Sequence, residues 1–202
     1  IALTGAQAIV LLLGFIIHPL IGRLLGTAEY GIFGVILSFQ TIFGIILTLG
    51  VPSAVSKFVA QNTEHAQSIL KQALKIQLII GTCIFVFVVA SSSLISRVLH
   101  DASLTKYFIF IAGIIFLQGM YPIYVQFLSG MHRFSKQALL TSIYAVAKLI
   151  GAISLIYIFR LYGALSGFAV GGVLAAAIGW YWTRRIGGTK PYTIPLKSFL
   201  SF

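Results

Sequence analysis

Apolar residues run along this chain in stretches of about twenty, separated by short polar or basic breaks. A helix needs about 20 mainly apolar residues to cross the hydrocarbon core of a bilayer. The first such run covers 2–22 and is closed by Arg23. A loop with Gly26, Glu29 and Tyr30 leads into the second, 31–50, whose pattern predicts helical continuation past Pro52 to Lys57. A polar stretch, 61–75, carries Glu64, His65, Lys71 and Lys75 and reads as a connection to the third run, 76–96. Arg97, His100 and Asp101 mark the next loop, and the fourth run is 107–128. A basic loop, 130–137, with Arg133 and Lys136, precedes the fifth run, 138–159. Residues 160–163 form a very tight turn before the sixth, 164–183, which Arg184 and Arg185 close.

The expected fold is therefore all-α, a polytopic membrane helical bundle of about six transmembrane helices. Short connections make consecutive helices antiparallel neighbours. Composition excludes the soluble alternative, since the chain is 59% hydrophobic and only 8% charged, against about 25% charged in a typical soluble domain. The formal net charge of +11 comes from 14 Lys and Arg against 3 Asp and Glu. These basic residues lie between apolar runs, which points to topology control and attraction to anionic headgroups and not to nucleic acid.

The same charges predict an orientation. With the N-terminus in the cytoplasm, nine basic residues fall inside: Lys57, Lys71, Lys75, Arg133, Lys136, Arg184, Arg185, Lys190 and Lys197. Arg23, Arg97, Lys106 and Arg160 fall outside. The excess satisfies the positive-inside rule. A chain that opens on Ile1 without a basic leader and stops abruptly at Phe202 reads as a piece of a longer protein. Residues 1–185 form the six-helix lobe and 186–202 a cytoplasmic linker.

One basic residue sits in no loop. Lys148 lies near the middle of the fifth run, between Ala147 and Leu149. A charge at the bilayer centre costs about 2.5–3.5 kcal/mol on insertion scales, so it must face a bundle interior or a watery cavity. Thr141, Tyr144 and Gly151 share its face at helical spacing. Gln7, Gly14 and His18 form a second stripe on the first run, with His18 before Pro19. Gln40, Gly44 and Thr48 form a third, and the fourth run holds Gln118, Tyr121, Pro122 and Gln126. Such residues line a path or serve as interhelical hydrogen-bonding groups. In the sixth run, Gly163 and Gly167 with Ala175 to Ala177 predict close helix packing.

No Asp or Glu lies inside any run, since Glu29, Glu64 and Asp101 are all in loops. Carboxylate-based cation binding therefore has no residues to use here. Lone Cys83 offers neither a disulfide nor a metal cluster. No metal-ligand spacing, nucleophile–base pair or phosphate loop is visible, so neither a cofactor nor an enzyme is expected. A cavity lined by Lys148 and polar residues is cationic and attracts anions such as phosphate. Arg23 and Lys57, each near the end of a run, extend that field.

Three stretches carry a family resemblance. They are Gly22-Arg23-Leu24-Leu25-Gly26-Thr27-Ala28-Glu29-Tyr30-Gly31, Leu49-Gly50-Val51-Pro52-Ser53-Ala54-Val55-Ser56-Lys57-Phe58-Val59-Ala60 and, more weakly, Tyr162-Gly163-Ala164-Leu165-Ser166-Gly167. Together with the loop rhythm they resemble the polysaccharide flippase branch of the multidrug/oligosaccharidyl-lipid/polysaccharide exporter superfamily. The resemblance implies a two-lobed transporter of the cell membrane, of which this chain is the N-terminal lobe. It implies alternating access and a lipid-linked oligosaccharide cargo whose pyrophosphate meets a cationic cavity. Arg23 and Lys57 fall where relatives commonly carry a basic residue. A multidrug or cation antiporter of the same superfamily is the alternative. The candidate substrate-binding residues are Lys148, Arg23, Lys57, Gln7, His18, Gln40, Gln118 and Tyr144.

Overall fold

The computed structural model describes residues 2–188, 190 and 191. Its helices are α1 (Ala2–Leu25), α2 (Thr27–Leu49), α3 (Val51–Gln61), α4 (Ala66–Val98), α5 (Thr105–Gln118), α6 (Tyr121–Gly130) and α7 (Phe134–Thr183). Among the described residues there is no strand. Five helical stretches are long and apolar enough to cross a membrane, the last of them all of α7. At 1.5 Å per residue, its 50 residues would reach about 75 Å, more than twice the hydrocarbon thickness.

A single residue resolves that excess. Arg160 has φ 48° and ψ −121°, a non-helical conformation inside α7. The limbs on either side, 134–159 and 161–183, fold back on each other. A Cβ at Gly167 would stand 2.5 Å from Ala152, and one at Gly171 would stand 2.9 Å from the Tyr144 carbonyl oxygen. Only small residues permit that approach, as the glycine-rich sixth run predicts. Among the described residues, the five long stretches thus become six segments of membrane-crossing length, the fifth and sixth joined by a one-residue corner.

Three boundaries differ from the sequence pattern. The polar stretch 61–75 is mostly helical, because Ala66, Ile69, Leu70 and Ala73 form a buried stripe while Lys71 and Lys75 face outward. The second crossing continues beyond Lys57 to Gln61, broken at Gly50. The fourth is broken at Gly119 and Met120 into α5 and α6, since Pro122 has no N–H for the carbonyl four residues earlier. Of the expected linker 186–202, residue 189 and residues 192–202, Lys197 included, lie outside the described residues.

The interior holds two apolar cores stacked along the bundle. The first gathers Ile17, Ile21, Phe33, Phe108, Ile111 and Leu165 around α1, α2, α5 and the Arg160 corner. The second gathers Val55, Val59, Ile69, Phe127, Leu128 and Leu140 around α3, α6 and the start of α4. Outside, Leu11, Phe15, Ile42, Ile79, Val86, Leu94 and Ile158 are exposed. An apolar surface that continuous suits lipid contact and would be unstable in water.

Candidate functional site

The two cores meet at a polar layer supplied by three glutamines from three helices. Gln40 on α2 is 5% exposed, and its Nε2 donates to Oε1 of Gln118 on α5 at 3.1 Å. Gln40 Oε1 is buried without a hydrogen-bond partner. Gln77 on α4 is 1% exposed and donates through Nε2 to the carbonyls of Leu47 and Gly119, at 2.8 Å each. Leu47 closely precedes the break between α2 and α3, and Gly119 lies in the break between α5 and α6. Broken helices leave carbonyls unpaired, and the hydrocarbon region has no water to pair them. One amide satisfies both breaks and ties them together.

Beside this layer lies a cavity of about 260 Å³. Gln40, Thr41 and Thr48 line it from α2, Gln118 and Tyr121 from the α5–α6 break, and Tyr144 and Phe168 from the two limbs of α7. The Tyr121 and Tyr144 rings stack at 4.3 Å with planes 12° apart. The Thr41 and Thr48 hydroxyls donate to the carbonyls of Leu37 and Gly44, which leaves their oxygens able to accept. Lys148 is not part of the lining. Its Nζ rests 5.6 Å from the centre of the Tyr144 ring and 5.0 Å from that of Phe168. Aromatic faces attract a cation at such distances, so the ammonium is held against the wall and the inner surface is amide, hydroxyl and ring.

The structure therefore brings together four of the residues singled out from sequence, Gln40, Gln118, Tyr144 and Lys148. The other four stand elsewhere. Gln7, His18 and Arg23 are exposed on α1. The His18 ring tilts toward Phe33 at 6.3 Å, and Arg23 borders a separate shallow pocket with Pro19 and Leu20. Lys57 is exposed on α3, among the residues that follow the Gly50 break. Sequence reasoning missed Gln77, whose signal was a lone glutamine inside the third apolar run. It also missed Gln67, which donates to the carbonyls of Thr183 and Ile186 at the end of α7. Among the described residues, no group of three or more His, Cys, Asp or Glu is placed to hold a metal ion.

The sequence matches a family model described as polysaccharide biosynthesis protein, over residues 1–202. The chain belongs to that family. No curated protein matches it. Among solved structures it is similar to a MATE in the straight conformation, with a TM-score of 0.80 and 15% identity over 98% of this chain and 47% of that one. A multidrug resistance MATE family transporter of the MOP superfamily, in an outward-facing conformation, gives 0.75 and 19% over 98% and 47%. A MOP superfamily transporter from Pyrococcus furiosus Vc1, described as having a binding pocket of reverse polarity, gives 0.73 and 18% over 98% and 47%. The chain thus spans about half the length of the structures it resembles, and at these identities the likeness establishes the fold. A polysaccharide-family member with the helical architecture of half a MOP-type transporter carries its polar cavity between two apolar cores.

Proposed function

We propose that this chain is the N-terminal lobe of a transporter that moves a lipid-linked oligosaccharide or polysaccharide precursor across the cell membrane by alternating access. The observation that carries the reading is the polar cavity between the two cores, with Lys148 against its aromatic wall. A cation that deep in a bundle is costly unless it serves a cargo or a partner. A diphosphate linker passing the rings would meet the ammonium at short range, where low local polarity strengthens the attraction. The polysaccharide family model supports a glycan-bearing cargo. A second lobe would close the far side of the cavity, and membrane lipid would surround the rest. The alternative reading, a multidrug or cation antiporter, is supported by the likeness to MATE structures and opposed by the position of the three carboxylates, Glu29 in the first turn of α2, Glu64 in the turn before α4 and Asp101 in the turn before α5.

Depletion of the protein tests the reading. Lipid-linked sugar should accumulate on the cytoplasmic leaflet, and Lys148→Gln should fail to relieve that accumulation while reaching the membrane at normal levels. Full rescue by Lys148→Gln removes the lysine from the mechanism. Unchanged distribution of lipid-linked sugar on depletion removes the cargo. The proposed orientation, with the N-terminus inside, is tested in a Cys83→Ala background. Gln137→Cys should resist an impermeant thiol reagent added outside, and Tyr162→Cys should react with it.

A further inference from the structure

We propose that the cavity is a subsite for a single neutral sugar ring, read by the Gln118 amide, which Gln40 orients, and by the Thr41 and Thr48 hydroxyls, and faced by Tyr121. The proposal rests on the translocase reading and names which part of the cargo this lobe grips. Four classes of ligand can be weighed against the lining.

A cation is opposed by Lys148, whose ammonium already occupies the electron-rich faces of Tyr144 and Phe168. An anion finds no charged partner in the lining, because Lys148 is not part of it, and a charge without a partner in a low-dielectric site is costly. A purely apolar ligand would leave the amides unpaired in a low-dielectric site, which costs about 1–3 kcal/mol per group. A neutral hydroxylated ring meets every requirement. Each hydroxyl both donates and accepts, so one can donate to the Thr41 or Thr48 oxygen while another accepts from the Gln118 amide. The C–H face of the ring lies against Tyr121, since Tyr144 has one face on Tyr121 and the other under Lys148.

Size agrees with that assignment. At about 260 Å³ the cavity falls just below the ~300–1,000 Å³ of drug-sized sites, which suits one ring and not a chain. Gln77 acts as a positioning residue. By joining Leu47 to Gly119, both of which line the cavity, it fixes the spacing of two walls. The subsite and the lysine then divide the work, sugar hydroxyls at the amide and threonine lining and negative charge near the ammonium.

The sugar could reach the site free or on a lipid carrier, and the test separates the two. Saturation-transfer NMR on the full-length protein in nanodiscs, with methyl glycosides of hexoses and N-acetylhexosamines as probes, measures binding. Wild type should show transfer to the ring protons. Gln40→Met and Gln118→Met, which keep shape and lose the hydrogen bonds, should each weaken binding about tenfold, while inorganic pyrophosphate binding stays unchanged. Arg160→Gln, at the exposed corner of α7, should leave the glycosides unaffected. Thermal unfolding is followed in parallel, and if Gln40→Met does not fold, Thr41→Val carries the same test. No transfer to wild type, unchanged affinity in the folded variants, or an equal loss of pyrophosphate overturns the subsite. Displacement of the glycoside by the same sugar on a polyprenyl pyrophosphate ties the subsite to the proposed cargo. Glycoside binding without that displacement keeps the subsite and overturns the translocase reading.

Discussion

The two apolar cores are held at their outer ends by opposite means. The core beneath the Arg160 corner is closed by packing. Tyr162 lies against Tyr107 and Phe110, each at 4.9 Å between ring centres, and α1 adds Ile17, Ile21 and Leu25. Its polar tie is one ion pair, Arg160 Nε to Glu29 Oε1 at 2.8 Å, with the arginine side chain 66% exposed. The core at the other end is closed by backbone-directed hydrogen bonds. Gln67 holds Thr183 and Ile186, Ser68 donates to the Lys190 carbonyl, Gly188 and Thr63 pair through their main chains, and Lys190 meets Glu64. One end is a packed corner of two long helices. The other is built from short segments, α3 and α6, that follow the breaks and need polar fastening.

The comparison can be broken most severely on the packed side. Gly167→Leu should force the α7 limbs apart and lose about 3 kcal/mol or more, read as a drop in the unfolding midpoint in detergent. Gln77→Met should come next, at about 2 kcal/mol, because two carbonyls are left unpaired where water is scarce. Its loss should uncouple the two ends, so that labelling at α3 and α6 rises while the Arg160 corner stays protected. Equal exposure at both ends would mean the cores were never separable. Gln67→Met makes the same two-carbonyl deletion beside the membrane surface, and should cost about 1 kcal/mol because water can replace the amide. If it costs as much as Gln77→Met, depth is not what separates them.

Smaller effects sharpen the picture. Arg160→Gln should change stability by less than about 1 kcal/mol and more weakly at high salt, as an exposed pair does. A larger loss would mean that the corner, and not the packing, holds the first core. The smallest effect concerns Asp101, which caps the turn before α5. Hydrogen bonds from the Ser103 side chain and backbone N–H hold its carboxyl below the ordinary 3.8. Since the folded value is the lower one, the contribution is complete above about pH 4 and is lost as pH falls through the folded value. The protection factor of the Ser103 amide, its rate corrected for the intrinsic pH dependence of exchange, should therefore fall only in acid, and a fall near neutrality would contradict the assignment.

Much of this architecture was legible because lipid exposure demands it. The six crossings follow from run length, and the tight turn at 160 follows from the two apolar runs that meet there. Lys148 declared itself, since a mid-run charge has few places to go. The breaks were half visible. Pro122 marked a disturbance but did not say where the freed carbonyl would find a donor, and the expected helical continuation past Pro52 gave no sign of the break at Gly50. Gln77 was hidden because a glutamine in an apolar run looks the same whether it bonds one neighbour or bridges two helices. Its role depends on Leu47 and Gly119 lying 30 and 42 positions away. Gln67 was hidden for the opposite reason, a polar residue in a polar stretch. The stripe of Gln7 and His18 lies on a face of α1 that this chain leaves exposed, and spacing alone does not say what covers such a face.

The Arg160 corner also bears on how the chain enters the membrane during synthesis. Contact between the α7 limbs begins immediately after the turn, where a Cβ at Gly163 would collide with the Leu155 carbonyl, and continues past Lys148 at Gly171. A limb inserted alone would present Lys148 to lipid at the full central cost. Inserted as a pre-formed pair, it carries the Phe168 ring already beside the ammonium. The last fifty helical residues thus suit delivery as one unit, with the partner limb chaperoning the charge.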